Sequence, residues 1–517
     1  MNDNTQTVEI PHVSMQELKN RGELPATREG LAIELALRVG DMMASSGASA
    51  KDTVVMMRKI CNAYGLSRAQ LDVTANVIMA AYYPGEGLPP FTAIRNVSPA
   101  VANLSKVYAM NDLVQQIGSG LSISKATKRF DRIRKDNEPF PGWLAGLAGG
   151  GISMSVQLFY TTSIKMLILA LITGFLVNRF VYLLKRVGLP TLFQQIFGGW
   201  LVVAIAAGFT WLNLHPKFAV IGYVSPTTLA VGCVFQLVVG GRFVAGVQDA
   251  IDGFYVTATS RIFEVVLMTA GLVVGLISGL DLARRIGVGV YISAEAPTVG
   301  AAPIAFIAAT LTAVFFALSQ YANLRIVLVT AGVTFLARVI YWLAMLMGMN
   351  QIVATFAGPM VAALVVAILV RRYWKLPAFG IINAMGIPFV PGLMLYLGLL
   401  QLVGSHSIDP DPSKGATTLG MAVAIGLAVA AGASLGVFFG RPVSEKLMLM
   451  PRAWNQLLKK TPPIPTPAGG KLAHVNGRKR SSGIKPIGEV KHVEKLHPET
   501  VITEPKADDE ASQHSIP

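Results

Sequence analysis

The fold of this chain is decided by residues 415–439, GATTLGMAVAIGLAVAAGASLGVFF, which contain no charged side chain. A helix needs about 20 predominantly apolar residues to cross the hydrocarbon core of a bilayer, and this stretch is long enough. Nine similar apolar runs precede it, at residues 142–160, 163–183, 191–212, 220–241, 262–281, 303–321, 324–346, 351–370 and 377–401. The sequence therefore predicts an α-helical polytopic membrane protein with about ten transmembrane helices.

The composition of the chain agrees with a membrane protein. Of its 517 residues, 52% are hydrophobic and only 14% are charged, and its 50 glycines suit helices that pack closely in lipid. The net charge of +15 does not indicate a nucleic-acid partner, because the cations lie at the ends of apolar runs and in the C-terminal tail. Two cysteines are too few for a disulfide framework, which fits a soluble part in a reducing cytoplasm.

Shifts in composition divide the chain into four parts. Residues 1–27 are expected to be disordered, and residues 28–140 to form a cytoplasmic α/β domain. Residues 141–440 are expected to form the transmembrane transporter domain. Residues 441–517 are basic and proline-rich, which predicts a disordered cytoplasmic tail able to attract anionic lipid headgroups.

The predicted α/β domain combines helical and strand patterns. Apolar residues recur at helical spacing from Arg28 onward in two successive helices, and two further helices are expected near 105–118 and 122–135. Leu71 to Val77 alternate apolar and polar residues, as a half-buried strand does. Phe91 to Val97 are expected to form the returning strand.

The distribution of cations between the spans predicts the orientation. With the N-terminal domain in the cytoplasm, most Lys and Arg residues fall on the cytoplasmic side, as the positive-inside rule requires. They are Lys185, Arg186, Arg242, Arg261, Arg325, Arg371, Arg372, Lys375 and Arg441. Arg284 and Arg285 are exceptions on the opposite side. Both termini are therefore expected in the cytoplasm.

Charged residues within or beside the spans are candidates for proton coupling, because a charge in the bilayer needs a partner or water. Arg338 lies inside the seventh predicted span. The connection between the fourth and fifth spans, residues 247–264, contains Asp249, Asp252, Arg261 and Glu264. These carboxylates could carry protons. Alternatively, Arg261 and Glu264 are three residues apart and could form a structural pair on one helix.

The ninth predicted span is interrupted in its middle. It contains Asn383, Pro388, Pro391 and Gly392, and prolines free backbone groups that a transporter can use to bind its substrate. A simple proline kink is the alternative. Residues 188–191, Gly-Leu-Pro-Thr, followed by Gln194 and Gln195, give a weaker signal of the same kind.

Ser45, Ser46 and Gly47 lie between the first two predicted helices and have the composition of a turn and helix N-cap. A membrane-bound hydrolase could use either serine as a nucleophile, but no recognisable motif positions a histidine or aspartate partner. The chain lacks the phosphate-binding loop of ATPases and the common metal-binding motifs. We therefore expect neither an enzyme nor a bound metal or cofactor.

Taken together, the motifs resemble the threonine/serine exporter family. The resemblance rests on three groups of segments: residues 45–53, 64–66 and 72–74 in the predicted domain; residues 188–199 and 248–264; and residues 388–392. In the domain it covers Ser45, Ser46, Gly47, Asp52, Thr53 and Asp72. Asp252 has no clear match in the family pattern.

The resemblance implies a secondary exporter of threonine and serine in the bacterial inner membrane, driven by the proton-motive force. A related two-component bacterial system is associated with succinate export, so small dicarboxylates are the alternative substrates. The implied partners are the amino acids, protons and membrane lipids, with a homo-oligomer possible. The N-terminal domain could act as a sensor or gate for transport.

Overall fold

A computed structural model describes residues 28–84, 90–97, 103–136, 138–214, 225–238, 240–288, 302–368, 378–389, 392–403 and 411–460. The expected disorder of residues 1–27 and of the tail beyond residue 460 lies outside these ranges. Pro391, one of the predicted substrate-binding residues, lies outside them as well.

The N-terminal region, residues 28–136, contains four helices and a small sheet. The helices are α1 (Arg28–Ser45), α2 (Ala50–Ala63), α3 (Leu104–Gly118) and α4 (Ile123–Lys135). The strands β1 (Gln70–Thr74), β2 (Val77–Tyr82) and β3 (Phe91–Asn96) form an antiparallel sheet in the order β1-β2-β3. The core contains fully buried Ile33, Met57, Ile60, Ile78 and Met110, contributed by three helices and the central strand.

The predicted strand from Leu71 to Val77 is two strands joined by a tight turn. The chain reverses at Ala75 and Asn76, and β2 begins at Val77. Ala75 has a positive φ of 51°, a conformation that usually selects glycine or asparagine. An alanine gives no turn signal in the sequence, which explains the missed turn. The returning strand predicted from Phe91 is confirmed, and it pairs with β2.

Twelve helices follow in the described residues. They are α5 (Gly142–Leu158), α6 (Ile164–Arg186), α7 (Thr191–Leu214), α8 (Pro226–Leu237), α9 (Gly240–Ile251), α10 (Tyr255–Arg285), α11 (Ala302–Ser319), α12 (Leu324–Leu346), α13 (Gln351–Val365), α14 (Ala378–Gly386), α15 (Gly392–Val403) and α16 (Pro412–Lys460). A 3₁₀ turn, Ile387–Phe389, follows α14.

The chain is a polytopic membrane protein. Seven of the described helices are long and apolar enough to cross a membrane, and the number rises to nine if each bent pair is one span. The bent pairs are α8 with α9, at 40°, and α14 with α15, at 47°. The first predicted span corresponds to α5, which has 17 residues and is not among the nine.

Two predicted boundaries differ from the structure. Residues 247–264 form no long connection, because α9 runs to Ile251 and α10 begins at Tyr255. Gly253, at a φ of 88°, makes the short turn between them. The sequence also predicts disorder from residue 441, whereas α16 continues to Lys460. Residues 441–460 contain two prolines, but most of the others, such as Leu447, Met448 and Leu457, favour helical backbone.

Glycines allow the membrane helices to pack backbone to backbone. A Cβ added at Gly275 on α10 would overlap the carbonyl oxygen of Ile196 on α7. A Cβ added at Gly436 on α16 would likewise overlap the carbonyl oxygen of Met360 on α13. Close packing of this kind replaces the hydrophobic driving force that lipid cannot supply.

The N-terminal region packs directly on the membrane helices. Thr257 on α10 donates from its Oγ1 to the carbonyl of Val73 at 3.0 Å and accepts from the backbone N–H of Ala75 at 3.0 Å. At another point, the backbone N–H of Leu104 donates to the carbonyl of Gln320 at 2.9 Å. The hairpin turn and the start of α3 are thus fixed to different membrane helices.

Candidate functional site

A cavity of about 120 Å³ lies where the N-terminal region meets the membrane helices. Its walls come from the start of α2 and from α9, α13, α14 and α16. The polar residues that line it are Ser49, Lys51, Asp52, Gln248, Asp252 and Asn383. Apolar side chains form the rest of the wall.

The start of α2 forms the wall on the side of the N-terminal region. Ser49 is the N-cap: its Oγ accepts from the backbone N–H of Asp52 and donates to the Asp52 carboxylate, both at 3.1 Å. Thr53 is buried and donates to the carbonyl of Ser49 at 2.9 Å. Gly47, with a φ of 86°, makes the preceding turn. These contacts fix the first turn of α2 against the cavity.

The two predicted nucleophiles belong to the same turn. Ser45 donates to the carbonyl of Met42 at 3.2 Å, and Ser46 is buried. Within the described residues there is no histidine that could serve as a base. The hydrolase hypothesis therefore gains no support from the structure. Asp72, the remaining predicted residue of the domain motif, accepts from Thr74 at 2.8 Å on the exposed strand β1.

An ion pair crosses the cavity between the two parts of the chain. The Lys51 ammonium on α2 pairs with the carboxylate of Asp252, just after α9. The Asp252 side chain is only 10% exposed. Together with Asp52, this pair gives the cavity both a positive and a negative group.

Asp249 lies beside the cavity and joins the same two parts. Its side chain is fully buried, and its Oδ1 accepts from the backbone N–H of Ala50 at 3.0 Å. Its Oδ2 lies 2.6 Å from Nη1 of Arg261, and Nη2 of Arg261 donates to the carbonyl of Ala48 at 2.8 Å. Because Ala50 is the first residue of α2, the carboxylate also meets the positive end of that helix.

The opposite wall is formed by the interrupted ninth span. Asn383 and Gly386 on α14 line the cavity, and Pro388 lies in the 3₁₀ turn that follows. Gly392 begins α15 beyond the break. A Cβ at Gly241 on α9 would come within 2.9 Å of Ile387. The bends of the two broken spans are therefore packed close together.

The structure pairs the other predicted coupling residues differently. The alternative pairing of Arg261 with Glu264 is not the one in the structure: Arg261 pairs with Asp249, and Glu264 pairs with Arg242. The last pair is partly exposed, with 39% of the Glu264 side chain accessible. Burial of Asp249 against the N-terminal region, rather than spacing along one helix, selects the partner of Arg261.

Arg338, Gln194 and Gln195 are among the predicted residues that do not line the cavity. Arg338 lies over the ring of Tyr341, at 4.7 Å, and near that of Phe159, at 5.9 Å. In the described part of the chain no carboxylate lies within ion-pair distance of Arg338. Gln194 donates to the carbonyl of Leu189 at 2.6 Å, and Gln195 is buried on the same helix.

Sequence reasoning missed Lys51 and Gln248, and it left Asp252 in doubt. Lys51 and Asp252 are about 200 residues apart, and nothing in the local pattern of either indicates the other. The available signal was the position of Lys51 in the first turn of α2, two residues after the N-cap Ser49.

Two family models match the chain. One is described as "Putative threonine/serine exporter" and matches residues 34–283; the other is described as "Threonine/Serine exporter, ThrE" and matches residues 305–438. The chain belongs to the threonine/serine exporter family. The first match runs from within α1 through the rest of the N-terminal region to residue 283, in the last turn of α10. The second runs from residue 305 in α11 to residue 438 in α16.

Two relatives of the threonine/serine exporter family support this assignment. A "Probable threonine/serine exporter" of Mycobacterium tuberculosis is 29% identical over 421 residues, which are 80% of this chain and 77% of the relative. A "Threonine/serine exporter" of Corynebacterium glutamicum is 29% identical over 424 residues, which are 79% of this chain and 82% of the relative. No solved structure matches the chain.

Proposed function

We propose that this protein exports threonine and serine from the cytoplasm across the bacterial inner membrane, coupled to the proton-motive force. Membership of the threonine/serine exporter family and the names of both relatives support the substrate class. Contact of the basic tail with anionic lipids, and assembly of more than one copy, remain predictions.

The proposal includes ten spans with both termini in the cytoplasm. The nine spans counted by length and apolarity become ten if α5 also crosses the membrane. Its 17 residues make a helix about 26 Å long, close to the roughly 30 Å of the hydrocarbon core. An even number of spans places the N-terminal region and the tail on the same side.

The observation that carries the proposal is the charge pattern of the cavity. A free amino acid has an ammonium group and a carboxylate, and the cavity offers Lys51 to the carboxylate and Asp52 and Asp252 to the ammonium group. The amide of Asn383 can bond the side-chain hydroxyl of threonine or serine. The N-terminal region contributes half of these contacts, which supports a role for it as a gate.

The same pattern argues against small dicarboxylates. Succinate carries two negative charges, and the cavity would place them near two aspartates and one lysine. Like charges in a partly buried site repel strongly, because little water screens them. A zwitterion adds no net charge to the cavity, whereas succinate adds two negative charges.

For proton coupling we favour Asp249. Protonation of its carboxylate would weaken the ion pair with Arg261 and the hydrogen bond from Ala50. The bond from Ala50 attaches the start of α2 to α9, and Arg261 in turn holds the carbonyl of Ala48 just before α2. One proton would then loosen the wall of the cavity that faces the N-terminal region. Such a step links proton binding to opening of the site.

The substrate is tested by efflux from cells loaded with threonine-containing peptides, with and without this protein. We expect faster threonine efflux when the protein is present and no change in the efflux of labelled succinate. Unchanged threonine efflux together with faster succinate efflux would assign the protein to dicarboxylates instead.

A further inference from the structure

A second polar site lies within the membrane helices, away from the cavity. Gln157, near the end of α5, is fully buried, and neither its Oε1 nor its Nε2 has a hydrogen-bond partner among the described residues. A buried amide without partners costs free energy, and in the membrane-spanning part no bulk water is at hand. Such a side chain indicates that something polar binds there.

Two polar residues lie on the same side of α5 as the Gln157 side chain, and we define the polar cluster as Ser153, Gln157 and Gln236. Gln236 on α8 donates from Nε2 to Ser153 at 3.2 Å and to the carbonyl of Gly174 at 2.9 Å, while its Oε1 has no partner in the described part of the chain. The cluster thus connects α5, α6 and α8.

The Gln157 amide lies against a glycine of the neighbouring helix α8. A Cβ at Gly232 on α8 would lie 3.7 Å from Oε1 of Gln157 and 3.1 Å from the carbonyl oxygen of Ser153. The Gln157 amide is therefore directed towards α8, which is also the helix that carries Gln236. The unpartnered oxygens of both glutamines belong to this helix contact.

The polar cluster and the cavity are on the two pieces of one broken span. Gln236 is in the last turn of α8, just before the 40° bend, and α9 then runs from the bend to Ile251, lining the cavity on the way. Transporters place their solutes at such interruptions because the helix ends and their neighbours are free to bind them.

We propose that the polar cluster is a second binding site for small hydroxy amino acids, on the same route as the cavity; this rests on the proposed function. The oxygens of Gln157 and Gln236 accept from the ammonium or hydroxyl group, and Nε2 of Gln157 donates to the carboxylate. The cluster contains no charged side chain, so it holds a zwitterion weakly. Weak binding suits a site from which the solute must leave.

The test is transport of labelled threonine by reconstituted protein carrying Gln157→Met or Gln236→Met. Methionine has a similar length and no amide, so Gln157→Met removes an unpartnered polar group and should not lower the melting temperature. We expect its kcat/KM for threonine to fall by about tenfold or more, the scale of a lost hydrogen bond to substrate. Thr355→Val is the control, because buried Thr355 bonds only the carbonyl of Gln351 in its own helix.

Each outcome decides one point. Normal kcat/KM in both glutamine variants, at matched protein level, would mean that the cluster holds only water and would overturn the second site. If Gln157→Met fails to accumulate, the KM of Gln236→Met for threonine is measured instead. A raised KM supports the second site, and an unchanged KM overturns it. If the wild-type protein itself moves no threonine, the proposed function fails before the second site is tested.

Discussion

A few side chains join the N-terminal region to the membrane helices, and Asp249 is the most deeply buried of them. Both of its oxygens are engaged, by Ala50 and by Arg261, and Arg261 also holds the carbonyl of Ala48. Removing one partner from a buried ion pair typically costs about 3–5 kcal/mol, because the other charge is left uncompensated. Asparagine also leaves Arg261 without a counter-charge, but it keeps the shape of the side chain and an acceptor for Ala50, so it tests the loss of the charge with the smallest other change.

We expect Asp249→Asn to abolish uphill export of threonine and to leave downhill counterflow in place, because only the protonation step is lost. Uphill efflux and counterflow are measured in vesicles with and without a pH gradient, at matched protein level. Glu264→Gln is the matched control, since its pair with Arg242 is partly exposed and contributes little to stability. Normal gradient-driven export by Asp249→Asn would remove this residue from the coupling step.

Lys51 is expected to bind the carboxylate of the substrate. Lys51→Met should raise the KM for threonine by about tenfold or more, because one charge-assisted contact is lost. The measurement is the concentration dependence of labelled threonine transport in vesicles. Lys125→Met, on the exposed surface of α4, provides a control with the same change of charge. Equal KM values for the two variants would contradict a cavity that binds through Lys51.

At the scale of helices, two contacts determine how closely the membrane elements pack. On α10, Gly275 lies against the backbone of α7, and on α16, Gly436 lies against the backbone of α13. The neighbouring atoms are backbone carbonyls, which cannot move aside as a side chain can. Even one added methyl group must therefore separate the helices.

Gly275→Ala and Gly436→Ala are each expected to lower the thermal stability of the detergent-purified protein by several degrees or to reduce its abundance. Gly208→Ala on α7 and Gly420→Ala on α16 are the controls, because no atom lies near an added Cβ at either position. Melting is followed by size-exclusion chromatography after heating. A melting temperature for Gly275→Ala equal to that of Gly208→Ala would show that α7 and α10 tolerate a wider separation.

On the scale of the whole molecule, the membrane helices follow one plan twice. In each half of the proposed ten spans, the fourth span is bent, and the third packs closely on the fifth through a glycine. Five is an odd number, so the second half starts on the opposite side of the membrane from the first. The two bent spans consequently run in opposite directions, as in transporters built from inverted repeats.

The ten-span topology predicts that reporters fused after Ser407 and after Ser482 lie on opposite sides of the membrane. Ser407 precedes the last span and Ser482 follows it, so a cytoplasmic marker should be active only at Ser482. Alkaline phosphatase and green fluorescent protein fusions measure the two sides independently. Activity of the same marker at both positions would contradict either the even number of spans or the placement of the last span.

The sequence predicted those features that local pattern determines. Span positions follow from runs of apolar residues, and the break near Pro388 follows from the chemistry of proline. The helices α3 and α4 were predictable from their periodicity. The turn at Ala75 was not, because it rests on a strained alanine held by Thr257, far along the chain. The partners of Lys51 and Arg261 were also unpredictable, since they depend on how the N-terminal region docks.

Helix α10 has 31 residues and is about 46 Å long, whereas the hydrocarbon core is about 30 Å thick. Its first turns, with Thr257 and Arg261, hold the hairpin of the N-terminal region and the turn before α2. A continuous helix of this length would tilt as a rigid body about the point where it leaves the hydrocarbon core. A tilt of roughly 10° inside the bilayer would displace the other end by about 3 Å. A small rearrangement of the membrane helices around the solute would thus tilt α10 and move the turn before α2, next to the wall of the cavity.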